Sequence, residues 1–186
     1  MEKYRILSAL AGLFIIIGYI PYIISIIKGK TVPAKASWLI WASLDTILLY
    51  GMFLRDVVNS QILGTVFMIW VVVVLSFRYG KSGWTHIDKF SLIATIAGII
   101  LIWVNPSWSI VLLAIVSFIG AFPTFYSAWK TPSREDKLTW TLYWISCVLT
   151  VLAIPKWTVS SGAQPTSFFI VQTTMMYLLF GRRKHR

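Results

Sequence analysis

Of the 186 residues of this chain, 58% are hydrophobic, 16% aromatic and only 12% charged. An ordinary soluble domain is about 45 to 50% apolar, and one of this size leaves about 30% of its unfolded surface in water. A water-soluble enzyme domain is therefore excluded, and lipid is the expected outer solvent. The 17 Lys and Arg against 6 Asp and Glu give a formal charge of +11, which on a soluble chain would point to nucleic acid.

A hydrocarbon core of about 30 Å takes about 20 helical residues to cross, and the chain divides at charged or Gly, Pro and Ser joints into seven apolar segments near that length. The first, Ile6 to Ile27, follows the stretch MEKYR. It is longer than a signal-peptide core and runs through Pro21 without a cleavage site, so it reads as a retained span. The others are Ala36 to Leu54, Gln61 to Phe77, Phe90 to Val104, Ser107 to Trp129, Leu138 to Ile154 and Thr166 to Phe180.

Seven crossings leave the termini on opposite faces, and the basic residues choose between the two orientations. One face receives Lys28, Lys30, Lys35, Arg78, Lys81, Lys89, Lys130, Arg134, Lys137, Arg182, Arg183, Lys184 and Arg186; the other receives only Lys3, Arg5, Arg55 and Lys156. This split predicts an outside N-terminus and a cytoplasmic C-terminus in the cell membrane. It accounts for the positive charge by topology and anionic-lipid contact, leaving no call for a nucleic-acid partner.

An internal repeat runs through these segments at an offset of 102 residues. Gly18, Pro21, Ser25, Lys28, Lys35 and Trp38 align without a gap on Gly120, Pro123, Ser127, Lys130, Lys137 and Trp140. Spans one to three (residues 1–80) and five to seven (107–186) then form two repeats, joined by a fourth span in residues 81–106. An odd connector lets two three-helix units lie parallel about an axis along the membrane normal. The expected fold is an all-α integral membrane protein of seven transmembrane helices, two parallel three-helix bundles joined by a linker helix.

A Pro near the inner end of the first helix of each unit, a short basic loop and an aromatic second helix resemble the PQ-loop, SWEET and SemiSWEET superfamily. The best local match is Phe122-Pro123-Thr124-Phe125-Tyr126-Ser127-Ala128-Trp129-Lys130, which is similar to the SWEET pattern of Pro-Thr-Phe followed by basic residues. Pro21-Tyr22 and Pro123-Thr124 stand where the family has its Pro-Gln pair, and the second and sixth spans carry no proline, so only Pro21 and Pro123 match. The resemblance implies a small-solute transporter, with a sugar as one substrate class and a substrate site near the bilayer middle.

Counting about 1.5 Å per residue from the basic ends places Gly18, Asp45, Gly120, Cys147 and Gln172 near that middle layer. Asp45 is the one acid inside any span. Its side chain suits proton coupling, attraction of a cationic substrate, or a structural hydrogen bond. Gln172 suits substrate binding or a helix-helix bond. Trp38 and Trp41 share a face with Asp45, and Trp140 with Trp144 forms a matching stripe; these indoles suit a stacked ring or organic cation, or an interfacial aromatic belt. Gly18 with Pro21, and Gly120 with Pro123, provide two places for a hinge or a static kink.

The expected function is alternating-access transport of a sugar or a small cationic or heterocyclic metabolite, by uniport or proton coupling. The alternative is a membrane receptor or sorting protein of the same architecture. No nucleophile-base pair, metal-ligand cluster or phosphate-binding loop is evident, so no enzyme activity, cofactor or metal is expected. His86 and His185 read as loop or tail residues, Cys147 has no second thiol, and a homo-oligomer is compatible with the chain.

Overall fold

The computed structural model is all-helical over the residues it describes, 2–132 and 135–181. Its helices are α1 (Glu2–Ile27), α2 (Lys35–Leu54), α3 (Ser60–Tyr79), α4 (His86–Val104), α5 (Pro106–Gly120), α6 (Phe122–Lys130), α7 (Lys137–Leu152) and α8 (Val159–Met176), the last extended by a π-helical turn, Tyr177–Gly181. The side chains of Pro123 and Ser127, and the basic residues Arg134, Arg182, Arg183, Lys184 and Arg186 with His185, lie outside that description. Four helices, and α5 with α6 taken as one rod, are long and apolar enough to cross a membrane. Helix α7 is apolar but spans 16 residues, and α8 does not join the long apolar set because its first half is rich in Ser, Gly and Gln.

The helix starts follow from local chemistry, since the first backbone N–H groups of a helix need acceptors from outside it. Asn59, Asn105 and Asp136 accept from the first turns of α3, α5 and α7. Capping boxes of Thr85 with Asp88 and of Thr158 with Ser161 open α4 and α8. These boxes explain two corrections: the fourth helix begins at His86 rather than Phe90, which makes His86 a helical residue, and the last begins at Val159 rather than Thr166. A further correction concerns the fifth segment, expected as one helix from Ser107 to Trp129, which is interrupted at Ala121. By contrast, α1 continues unbroken through Pro21.

The outer surface is apolar and the interior partly polar, the arrangement expected when lipid replaces water. Phe53, Phe67, Ile93, Trp103 and Val104 point outward and are exposed. Gln61, Gln164, Ser109, Ser146 and Thr150 are buried. Most buried hydroxyls in lipid-facing helices bond within the protein: Ser109 donates to the Gly98 carbonyl at 2.8 Å and Thr150 to the Ser146 carbonyl at 2.8 Å.

Helix α3 packs against both α1 and α2, and α8 packs against both α5 and α7. Between these sets α1 meets α7 and α2 meets α5, while α4 lies against α2 and α5. Leu44, Leu48, Met52, Ile62, Ala94, Ile110, Leu113 and Val116 form the largest apolar core, tying α2, α3, α4 and α5 together. At the end carrying most Lys residues, here the basic end, the α1–α2 and α3–α4 loops join through Lys35 N–H to Lys81 O at 3.0 Å and Lys81 N–H to Pro33 O at 2.9 Å.

Two glycines set how closely the sets approach. A Cβ on Gly18 would lie 2.7 Å from the Tyr143 ring, and one on Gly120 would lie 3.1 Å from Trp41 Nε1. Tyr143 is the position 102 residues beyond Trp41, just as Gly120 is to Gly18, so the two contacts are counterparts. The Gly18 position is the tighter, with two Tyr143 ring atoms at 2.7 Å and Leu142 Cβ at 3.3 Å, whereas beyond Trp41 Nε1 the next atoms around Gly120 lie at 3.6 and 3.7 Å. Gly18→Ala is expected to destabilise by about 1–3 kcal/mol, the usual range for overpacking, and Gly120→Ala by less. Thermal unfolding of the two variants in detergent measures the order; equal losses, or a larger loss for Gly120→Ala, would contradict it.

Candidate functional site

A cavity of about 710 Å³ lies between the helix sets and reaches the loops at the basic end. Helices α1, α2, α3, α5, α6, α7 and α8 all contribute to its wall, and α4 contributes none. The loops contribute Lys30, Thr31, Val32, Glu135 and Asp136. Its size falls within the range of about 300–1,000 Å³ typical of small-molecule sites.

The wall is built from positions 102 residues apart: Tyr19 and Ala121, Tyr22 and Thr124, Trp38 and Trp140, Trp41 and Tyr143, Ile69 and Val171. Two aromatic chains result. Tyr22 lies 5.2 Å from Trp38, and Trp38 lies 5.8 Å from Trp41, between ring centroids. Opposite them Tyr19 lies 5.2 Å from Tyr143, and Tyr143 lies 6.0 Å from Trp140. Both chains consist of rings at tilted or edge-on angles, the favourable geometry for aromatic pairs.

Polar chemistry breaks this match. Asp45 stands on the wall with a carboxylate that makes no hydrogen bond or ion pair among the described residues, although the residue is only 7% exposed. Its counterpart 102 residues on is Cys147, which is buried away from the cavity and accepts from Gln61 Nε2 at 3.1 Å. Gln172 also lines the cavity, and among the described residues its buried Oε1 has no partner, nor has the buried Oγ1 of Thr139 on the same wall. Toward the loops, Glu135 Oε2 accepts from Trp140 Nε1 at 3.1 Å, and Asp136 Oδ1 accepts from Thr139 N–H at 2.8 Å.

Of the residues singled out in the sequence, Trp38, Trp41, Asp45, Trp140, Gln172 and Pro21 meet at this cavity. Trp144 does not line it; its Nε1 donates to Thr173 Oγ1 at 3.1 Å, which ties α7 to α8. Gly18 and Gly120 stand behind the wall, against Tyr143 and Trp41. Pro123 follows the interruption at Ala121, and its side chain lies outside the described residues. Tyr19, Tyr22, Thr139 and Tyr143 are wall residues that nothing singled out in the sequence. Tyr143 was detectable in principle, as the aromatic counterpart of Trp41.

At the opposite end the bundle is closed by a buried polar network. Asn59 Nδ2 donates to Gln164 Oε1 at 2.9 Å, and Gln164 Nε2 donates to Gln61 Oε1 at 3.2 Å. Gln61 Nε2 donates to Ser146 Oγ at 3.0 Å, and Ser146 Oγ to the Ala11 carbonyl at 2.8 Å. One run of bonds thus joins α1, α3, α7 and α8. Neither glutamine has any exposed surface, so each bond replaces one that water cannot supply. In the sequence Gln61 stands at the edge of an apolar segment and Gln164 in the joint before the last one, so their pairing, at nearly the repeat offset, shows only in the fold.

Among the described residues no group of three or more His, Cys, Asp or Glu is placed to hold a metal ion. The geometry defines an all-helical membrane protein with a deep aromatic and acidic cavity at one end and a polar seal at the other. No protein-family model, curated protein or solved structure matches the chain.

Proposed function

We propose that the chain is a small-solute transporter that works by alternating access, with seven crossings arranged as two parallel three-helix bundles and a linker helix. The observation that carries this reading is the central cavity, open toward the basic end and sealed at the other by the Asn59, Gln61, Gln164 and Ser146 network. A solute site reached from one side, with a breakable polar closure on the other, is what alternating access requires of one of its states.

The helix contacts support the bundle arrangement. Helix α3 bridges α1 and α2 as α8 bridges α5 and α7, the α1–α7 contact has its counterpart in α2–α5, and α4 stays outside the cavity. The excess of Lys at the cavity's open end supports a cytoplasmic opening in a cell membrane, with the N-terminus outside. The resemblance to the PQ-loop and SWEET superfamily, read from the proline-bearing repeats, agrees with this layout. Trp38, Trp41, Trp140, Asp45 and Gln172 then form the substrate wall, and Asp45 is the group placed to couple protons.

Reconstitution into liposomes tests the reading. Uptake of radiolabelled sugars, amines, amino acids and nucleosides is followed with and without an inward proton gradient. Saturable flux of one class, absent from protein-free vesicles, is the expected result. Specific ligand stabilisation without flux of any stabilising ligand would overturn it in favour of a receptor or sorting role.

A further inference from the structure

We infer that the cavity selects an organic cation, a protonated amine or guanidinium on an apolar or aromatic body, in preference to a neutral solute. This rests on the reading of the cavity as a solute site and deepens it. Three observations converge. First, the chain has only six acidic residues, and three of them, Asp45, Glu135 and Asp136, line this one cavity, where Lys30 is the one cation on the wall among the described residues. On a chain of net charge +11, that local reversal of sign makes the cavity a place where a cation is attracted and an anion is not.

Second, the side chains on the cavity wall that lack partners among the described residues carry oxygens that can accept. Among the described residues the Asp45 carboxylate has no bonded neighbour, and the buried Gln172 Oε1 and Thr139 Oγ1 have no partner. Buried polar groups are nearly always satisfied, so the unpaired Asp45 carboxylate on the cavity wall is the acceptor a ligand would fill. Ammonium and guanidinium groups carry only donors. Third, Trp38, Trp41 and Tyr22 stand on the same wall as Asp45, and their faces attract cations. A charged head against Asp45 and an apolar body between the ring chains satisfies both surfaces with one molecule.

The test compares molecules of nearly equal shape and different charge. The full chain in detergent is titrated with phenethylamine, 2-phenylethanol, L-arginine and glucose, and affinity is read from thermal stabilisation. Phenethylamine is expected to bind about 10- to 100-fold more tightly than 2-phenylethanol, the range for adding a charge-assisted hydrogen bond. The preference should vanish in Asp45→Asn and persist in Asp45→Glu, which retains the charge and covers the case in which the asparagine variant folds poorly. Equal binding of amine and alcohol, binding of glucose in preference to both amines, or an amine preference that survives Asp45→Asn would overturn the inference while leaving the transporter reading intact. Stabilisation by none of the four probes would remove the cavity as a solute site, and the charge preference with it.

Discussion

Asp45→Asn is expected to lower solute flux by about 10- to 100-fold, the effect of removing one charged hydrogen bond from a bound solute, and to leave the empty protein more stable than wild type. The second half of the expectation separates a working residue from a structural one. A carboxylate held among helices without a hydrogen bond or counter-ion is costly to keep, and among the described residues Asp45 has neither. Its replacement by a neutral isostere removes the part of that cost that the charge carries. The expected gain is about 1–3 kcal/mol, the scale on which active sites trade stability for function. If Asp45 instead held two helices together, the same change would destabilise. Flux in liposomes and unfolding in detergent, measured on one preparation, decide between the two. A variant that loses flux and stability together would assign Asp45 to structure. Coupling makes a further demand: the variant should lose accumulation driven by a proton gradient while solute exchange stays measurable. Equal gradient-driven uptake by variant and wild type would exclude Asp45 as the coupling group.

Opening the polar seal should have the second large effect, and the chain carries its own reporter. Cys147 is the single cysteine, is 1% exposed and accepts from Gln61. In wild type it should react slowly with a membrane-impermeant maleimide. Gln61→Ala takes away the donor to Ser146 and Cys147 and the acceptor of Gln164, leaving a buried amide unpaired at a cost of about 1–3 kcal/mol. That cost falls on the closed arrangement, because water can reach the amide when the seal parts. The balance between closed and open therefore moves by about 10- to 100-fold, and Cys147 labelling should accelerate by a similar factor for reagent applied from the face opposite the basic end. An unchanged rate, or labelling that rises only from the basic end, would show that the network is not a gate. Gln164→Ala should act in the same direction, since it empties the same bond from the other side.

Much of the molecule's plan is written in its chain because it depends on one-dimensional quantities. The apolar fraction, the spacing of charged joints and the length of each run decide that lipid is the solvent and roughly where helices lie. Their ends depended on shorter signals. The capping boxes at Thr85 and Thr158 override the polarity of the residues that follow, which is why α4 and α8 begin earlier than hydropathy suggests. The interruption at Ala121, with α1 unbroken at the matching position, was not readable from the shared Gly and Pro, because the same local pair bends or holds according to what packs around it.

The same division applies to the site. Asp45, Trp38, Trp41, Trp140 and Gln172 could be selected from the sequence by type, depth and face, and the structure brings them to one cavity. Trp144 shares the stripe of Trp140 yet turns to α8, since a helical stripe fixes direction only to within a broad arc and its neighbours choose the rest. The Gln61 and Gln164 seal, the loop acids Glu135 and Asp136 at the cavity wall, and the freedom of the Asp45 carboxylate were decided by tertiary structure alone. Each depends on which atoms of distant segments come within hydrogen-bonding reach, and the repeat that aligns those segments in sequence does not carry that distance.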